Sequence, residues 1–423
     1  MNKILSDINL IGDNIPWLKS TRLSGVEAFK KQGVPTPKTE AWKYTKPSRF
    51  FVDDLLFNPK GGGESSFANI EVPFESYQIH FENGIFRYCS SELPKGLQIV
   101  PMIEEIILNP EIRTNISKLV DINTQPFVAL NNAYLNEGIC IKIDEGVCID
   151  KPILLIHHVG DDNDKTMYNL RNLIIANKNS SSVFMEYYCY DGNPKKSYFV
   201  NVVNEIYVDS DAVLKHYKVQ NEAYKAAHIA MNAVRVDAKG SYNSFCMQKG
   251  ADLSRNESKV VLIDEMASTC VDAAYIMEGW ATIDTTTNIE HLKPNTHSSQ
   301  LIKGVVGGQA KGVFQGKIHI APDAVKTEGY QLHKAMLLSD EAEVDVKPEL
   351  EIFADDVKCS HGAACGQLDA DQLFYMQSRG ISKDDAKQLL IEAYLEDVIA
   401  KVDDEKICNW IKSIAGTNKS ISL

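Results

Sequence analysis

The sequence has no CxxC pair, although nine cysteines are spread along it at Cys89, Cys140, Cys148, Cys189, Cys246, Cys270, Cys359, Cys365 and Cys408. An odd, scattered set argues against a disulfide framework and against a structural zinc site. A signal peptide is not indicated either, because the opening MNKILSDINLIGDNIPW breaks its apolar residues with Asp7, Asn9 and Asp13. No later run has the length and apolarity of a membrane span. Basic charge is in deficit: 44 Lys and Arg stand against 57 Asp and Glu, a net charge of −13 that opposes attraction to phosphate backbones and anionic lipid. These absences predict a cytoplasmic protein with neither nucleic acid nor membrane as partner.

Nucleotide motifs are missing too. The glycine-rich GVVGGQAKGVFQGKIH invites comparison with a phosphate-binding loop, but Gly316 and Lys317 are followed by Ile318 instead of Ser or Thr. Lys311 stands where that loop needs its first glycine. No GxSxG elbow and no dinucleotide fingerprint occurs in a strand-to-helix context. The chain is therefore expected not to be an enzyme in its own right and not to hydrolyse ATP alone.

What is present is an ordinary globular balance, 44% apolar and 24% charged, in a chain long enough for two or three structural units. Residues 1–136 read as a helical or α+β region. Leu18, Val26 and Phe29 pattern a helix that Gly33, Pro35 and Pro37 end, Gly61 to Ser66 form a connector, and Asn83-Gly84 makes a hairpin turn. Further helices are predicted over 101–109 and 125–135.

Residues 137–366 change character to many short strands rich in Val, Ile, Tyr and Thr. A faint repeat runs through them. IYVDSDAVL, VRVDAKGSY and VLIDEMAST align Asp209, Asp237 and Asp264, 28 and 27 residues apart, each followed three positions later by Ala212, Gly240 or Ala267. Asn177 with Ser180 offers a weaker copy. A turn residue closing a strand, then a small residue at the bend, suits one coil of a stacked β-solenoid, with a sandwich or jelly roll as the alternative. Residues 367–423 return to helix: Asp369 with Gln372 and Ser382 with Asp385 read as caps, and Ala386, Leu389, Leu390, Ile391, Ala393, Tyr394 and Val398 supply a broad apolar face. A last helix is predicted around Ile407, Trp410, Ile411 and Ile414.

The segment DDVKCSHGAACG concentrates the candidate chemistry. In extended backbone Cys359 and His361 share one face, where a thiolate and an imidazole suit iron. Lys358, Asp355 and Asp356 are placed to influence the thiol. Cys365 has the same parity, but Gly362 is expected to break the register between them. His157-His158 and His291/His297 lack a third ligand at metal-binding spacing and read as hydrogen-bonded or exposed histidines.

Three blocks carry a family resemblance over most of the chain: GVPTPKTEAWKYT, HLKPNTHSSQLIKGVVGGQAKGVFQGKIHI, and LLSDEAEVDVKPELEIFADDVKCSHGAACGQLDADQLFYMQSRGI. Together they resemble the SufB/SufD family of iron-sulfur cluster assembly proteins. SufB-like chains typically carry His-Glu-Ala where this sequence has His361-Gly362-Ala363, so the resemblance is to the SufD branch, with a SufB-like paralogue as the alternative. It implies a mainly β protein: a right-handed parallel β-helix flanked by helical regions. It also implies a SufB-like partner at the β-helix end, SufC-type ATPases on the C-terminal helices, and a homodimer when the chain is isolated. Cys359 and His361 would face the SufB-like partner as metal ligands for a nascent cluster shared between the two chains, with no cofactor held tightly by this chain alone. Relatives often have Thr-Val after CSHGA; here Ala364-Cys365 stand there. Outside this resemblance, a carbohydrate-acting β-helix enzyme is the competing expectation from the solenoid alone; it would require clustered carboxylates.

Overall fold

A computed structural model describes residues 12, 14–51, 55–57, 70–160, 164–192 and 196–416. The Gly61–Ser66 connector expected from sequence lies outside the described residues.

The core is a parallel β-solenoid of about seven turns. Each turn contributes one strand to each of two facing sheets. The first sheet runs from Leu97–Pro101 through Ile139–Ile143, Thr166–Ala176, Tyr198–Val208, Ala227–Val236, Leu253–Leu262, Thr282–His291 and Lys311–Ile320 to Glu343–Ile352. The second runs from Ile85–Cys89 through Tyr77–Glu82, Ile153–Val159, Ser181–Tyr190, Val213–Asn221, Ser241–Lys249, Ser268–Met277, His297–Val306 and Thr327–Leu337 to Val357–Gln367. Strands before residue 137 thus extend the same sheets. The hairpin at Asn83 and Gly84 closes one end of the second sheet, both residues having positive φ, and the antiparallel Leu97–Pro101 strand closes the same end of the first.

The aspartate repeat marks the same corner of successive coils. Two residues after each Asp the backbone is left-handed, at Asp211 (φ 59), Lys239 (φ 57) and Met266 (φ 60), and the earlier copy does the same at Asn179 (φ 60). Non-glycine residues pay about 1 kcal/mol or more for that conformation. The offset is a hydrogen bond to the next coil: Asn179 N–H donates to Ser210 O, Asp211 N–H to Ala238 O and Lys239 N–H to Glu265 O, at 3.1, 2.9 and 3.0 Å. The small residue that follows, Ser180, Ala212, Gly240 or Ala267, is buried where the chain turns inward.

The lumen is not uniformly apolar. Asn172, Asn204 and Asn232 stack on successive coils of the first sheet, each donating its amide to the next at 2.8 Å. Across the lumen Glu186 accepts from Asn204 and Tyr188 and pairs with His216. Burial would raise the Glu186 carboxyl; the His216 hydrogen bond, with Lys218 and Tyr188, outweighs it and holds the group well below the usual carboxylate range. Such a dry network is tolerated only because nearly every member is partnered.

Glycines in the GVVGGQAKG stretch make room for large lumen side chains. A Cβ on Gly304 would fall 1.9 Å from the Tyr275 ring, and one on Gly312 2.9 Å from its hydroxyl. Tyr275 crosses both positions to reach His333 Nε2 at 2.9 Å.

Helices cover the outer faces. The predicted N-terminal helices are Pro16–Gln32, ended by Gly33, then Met102–Leu108 and Pro126–Ala133. They lie over the first sheet, where Glu205 accepts the backbone N–H groups of Ser117, Lys118 and Leu119 and pairs with Arg171 at 2.7 Å. The C-terminal helices Ala370–Ser378, Lys383–Ile399 and Glu405–Gly416 begin with Asp369 and Ser382 as caps, as the sequence predicts for the first two. The second and third lie on the other sheet. The face Lys383–Ile399 buries is narrower than its apolar residues suggest: Ala386, Ile391, Leu395, Val398 and Ile399 are buried, whereas Leu389 and Ala393 face solvent. Leu389 and Ala393 are one helical turn apart, on the side away from the sheet.

Asn204→Ala would leave the amides above and below it and Glu186 each short of a partner, a cost on the order of 2–3 kcal/mol; thermal unfolding should show a lower midpoint, and an unchanged one would discount the ladder. Burial lowers the pKa of His80 and His333 to about 4 and of His157 and His291 to about 3. In the unfolded chain these rings protonate below roughly pH 6.5 while the folded chain keeps them neutral, so stability should fall as pH drops from about 6.5 to 4. His157 stacks between Phe81 and Tyr188 with neither ring nitrogen hydrogen-bonded. His157→Phe should therefore keep the neutral-pH stability and flatten that acid limb in pH-dependent denaturation.

Candidate functional site

One end of the solenoid is bare. Glu343–Ile352 and Val357–Gln367 terminate their sheets, and among the described residues no strand pairs with their outer edges. At the other end the antiparallel strands Ile85–Cys89 and Leu97–Pro101 close the two sheets, and the strands between those and the last coil are paired on both edges, so the lumen-facing positions of the last coil are left open.

The lumen face of the last strand is fixed by its register. Gly329, Gln331, His333 and Ala335 are buried inward positions of Thr327–Leu337, and they pair with Cys359, His361, Ala363 and Cys365. Cys359 and His361 therefore project from one face about 6.6 Å apart along the strand, as their spacing predicts. Cys359 is half-buried and His361 exposed. Burial raises the Cys359 thiol, and a backbone hydrogen bond from Gly329 works against that rise. The approach does not depend on glycine at 329, since a Cβ there would lie in ordinary contact, 3.5 Å from Cys359 Sγ.

Two sequence expectations need correction. Gly362 does not break the register: pairing is continuous from Thr327↔Val357 to Leu337↔Gln367, and Gly362 takes an ordinary place opposite Leu332. Cys365 thus shares the face of Cys359, yet six residues of strand separate the two thiols by about 20 Å, beyond the reach of one ion. Lys358, expected near the thiol, is on the opposite face and bonds Glu328 at 3.0 Å.

Of the histidines the sequence reads as hydrogen-bonded or exposed, His157 is neither: it is buried and stacked between Phe81 and Tyr188. His291 is buried between Thr296 and Ser298 hydroxyls, each at 2.8 Å, while His297 is outward beside Glu328. His158 pairs with Asp191 at 2.6 Å. Among the described residues no three His, Cys, Asp or Glu side chains gather closely enough to hold a metal ion. Cys359 and His361 offer two suitable donors and stop there.

Comparison with known proteins agrees with this architecture. The SufBD protein N-terminal region matches residues 8–155, and the SUF system FeS cluster assembly SufBD core domain matches residues 158–394, more than half of the chain. The chain belongs to the SufBD family. It is 29% identical to the iron-sulfur cluster assembly protein SufD of Escherichia coli over 90% of this chain and 88% of that one. A SufBD family protein of Synechocystis is also 29% identical, over 91% and 87%, and Bacillus subtilis SufD 25%, over 94% and 93%. The SufBD core match carries the solenoid and its open end together, so the site sits in the shared part of the family. No helix among the described residues is long and apolar enough to cross a membrane.

What sequence reasoning missed is the layer under the site. Gln331 and His333 were unremarkable in YQLHKAML, and only the register places them one coil below His361 and Ala363.

Thiol labelling checks the placement of the cysteines. In the folded chain a maleimide should modify exposed Cys148 and Cys365 first and Cys359 more slowly, and should spare Cys140, Cys189 and Cys408. Mass mapping that found Cys359 as inert as the buried three would contradict the open end.

Proposed function

We propose that this SufBD-family chain acts as a SufD-type scaffold: a non-catalytic subunit that pairs its open solenoid end with a SufB-like protein and supports assembly of an iron-sulfur cluster there. The observation that carries this reading is the half-complete donor set on an unpaired end. Cys359 supplies a thiolate and His361 an imidazole, both suited to iron, and the remaining ligands come from the partner. The cluster is cargo, formed and passed on, and this chain alone holds no cofactor tightly.

A SufC-type ATPase is the second partner we infer. The C-terminal helices support it: Ala370–Ser378 buries none of its residues, and Phe374, Tyr375 and Leu389 are 72%, 60% and 45% exposed. Adjacent exposed aromatic side chains such as Phe374 and Tyr375 are the kind of apolar surface a protein partner covers. ATP-driven movement of that subunit would reach the cluster site through the Lys383–Ile399 helix, which Lys303 holds to the sheet through Asp397 at 2.6 Å and Tyr394 O at 2.8 Å. The cytoplasm is the compartment consistent with nine free thiols.

Anaerobic co-expression with a SufB-like protein and a SufC-type ATPase tests the proposal. The three chains should co-purify, and His361→Ala should reduce the visible absorbance of the reconstituted cluster at least several-fold, with Cys359→Ala reducing it less. Undiminished assembly in both variants would sink the assignment of the site.

A further inference from the structure

The N-terminal block GVPTPKTEAWKYT climbs the outer face of the first sheet to the open end. Arg49, just after the block, pairs at 2.9 Å with Asp252, the residue before Leu253–Leu262, and Thr45 bonds Asp284 on the next coil. Lys311 Nζ lies 5.8 Å over the Tyr44 ring and Gln315 donates to Ala41 O at 3.5 Å, both from Lys311–Ile320. Glu40 then reaches the last strand of this sheet, where its carboxylate holds Lys347 Nζ at 2.8 Å. From Arg49 back to Glu40 the chain thus rises three strand spacings, about 14 Å, and delivers Glu40 to the rim.

What stands at the rim is a fixed loop that buries almost nothing. Residues 36–41 are all exposed, between Pro35 and Trp42, which are both buried. Trp42 dips back to Arg255, 4.3 Å from its ring, and packs on Phe127 at 5.1 Å. Two tight turns shape the loop, with Thr39 N–H donating to Thr36 O and Trp42 N–H to Thr39 O, each at 2.8 Å, and Pro37 fixes a further φ. Ordering exposed residues costs conformational entropy, and a surface already ordered loses less when it binds. The charge of the loop is one-sided. Glu40 is paired with Lys347, whereas Lys38 and Lys43 are exposed and form no salt bridge among the described residues. In a chain of net charge −13 they make a local basic lip beside an unpaired strand edge.

We propose that residues 36–41 with Lys43 form a second contact surface for the SufB-like chain seated on the open end, a preformed basic lip that meets acidic side chains of that partner. This rests on the reading of the open end as the partner-binding end, and it adds a place where the partner is recognised. A chain seated there puts its first layer one strand spacing, about 4.8 Å, beyond Lys347, within side-chain reach of the loop that Lys347 holds. Charges at such a rim act on association rate and on discrimination between partners more than on the lifetime of the complex.

The test uses the full chain with the SufB-like protein and the SufC-type ATPase. Lys38→Glu/Lys43→Glu should weaken capture of the SufB-like chain about ten-fold, mostly through slower association, and flatten its salt dependence. Lys95→Glu/Lys178→Glu makes the same charge change on exposed lysines toward the closed end and should leave the affinity within about two-fold. Both variants should unfold at the wild-type temperature, because neither changes a buried group. Amide exchange over residues 36–41 should slow when the complex forms. Unchanged affinity in the lip variant, an equal loss in the control variant, or unaltered exchange would overturn the inference. Slowing of the same amides in the chain alone as its concentration rises would give the lip to a second copy and overturn the choice of partner. A wild-type chain that captures no SufB-like protein sinks the reading of the open end itself, whereas capture that ignores the lip substitutions sinks only the lip.

Discussion

Parallel backbone pairing between successive coils is the constraint from which the rest of this molecule follows. Each strand finds its partners in the coil before and the coil after, so every side chain in the lumen is registered over its counterpart at one strand spacing. That stacking turns single residues into columns. Asn172, Asn204 and Asn232 form one, and Gln300, Gln331 and His361 form another. It also sets the penalty at the end of the array: among the described residues the last coil presents unpaired strand edges and lumen residues with nothing stacked on them, and the candidate donors Cys359 and His361 lie there.

Long arrays of this kind are held in register by more than apolar contact. On the outer face of the first sheet Arg171 meets Glu205, and Arg255 meets Asp284 beneath the Trp42 ring, all four charges almost fully buried. Buried ion pairs are weak contributors to net stability but costly to break. Here each joins the solenoid to the N-terminal segment, Glu205 through three backbone N–H groups and Asp284 through the Thr45 hydroxyl. A segment shifted by one residue would strand a carboxylate in a dry interface. The pairs thus define where the N-terminal region sits, while the aromatic cluster of Trp42, Phe51, Phe127 and Phe199 supplies the attraction.

Local features of this chain were legible in its sequence because they depend on few residues. The Asn83-Gly84 hairpin, the Asp369 and Ser382 caps and the aspartate corners each need only a turn former or a side-chain oxygen in the right place. Cys359 and His361 fall on one face for the same local reason. Features that depend on neighbouring coils were not legible. Strand parity alone could not say whether Gly362 interrupts the ladder, since the answer lies in its pairing with Leu332. The asparagine column is invisible because its members are 32 and 28 residues apart, the coil length varying with its corner loops. The outward turn of Leu389 is hidden by a helix whose apolar residues surround it too evenly to announce which side meets the sheet.

The geometry of the open end also limits how many donors this chain alone can bring together there. Donors on one strand are spaced by its rise, and only adjacent same-face residues, about 6.6 Å apart, can converge on one ion. A straight strand therefore contributes two ligands at most, here Cys359 and His361, and Cys365 is too distant to be the third. The facing strand does not complete the set, because its lumen positions are Val344, Val346, Pro348 and Leu350, which lack donors. Pro348 further removes a backbone N–H from that edge, whereas Val357–Gln367 contains no proline and offers an unbroken row of backbone groups beside the two candidate donors. Extension of the second sheet by a strand from a partner would then do two things at once: satisfy that row, and place the partner's side chains in register over Cys359 and His361. The same stacking rule that builds the columns within the chain would build the last layer of the site across the interface.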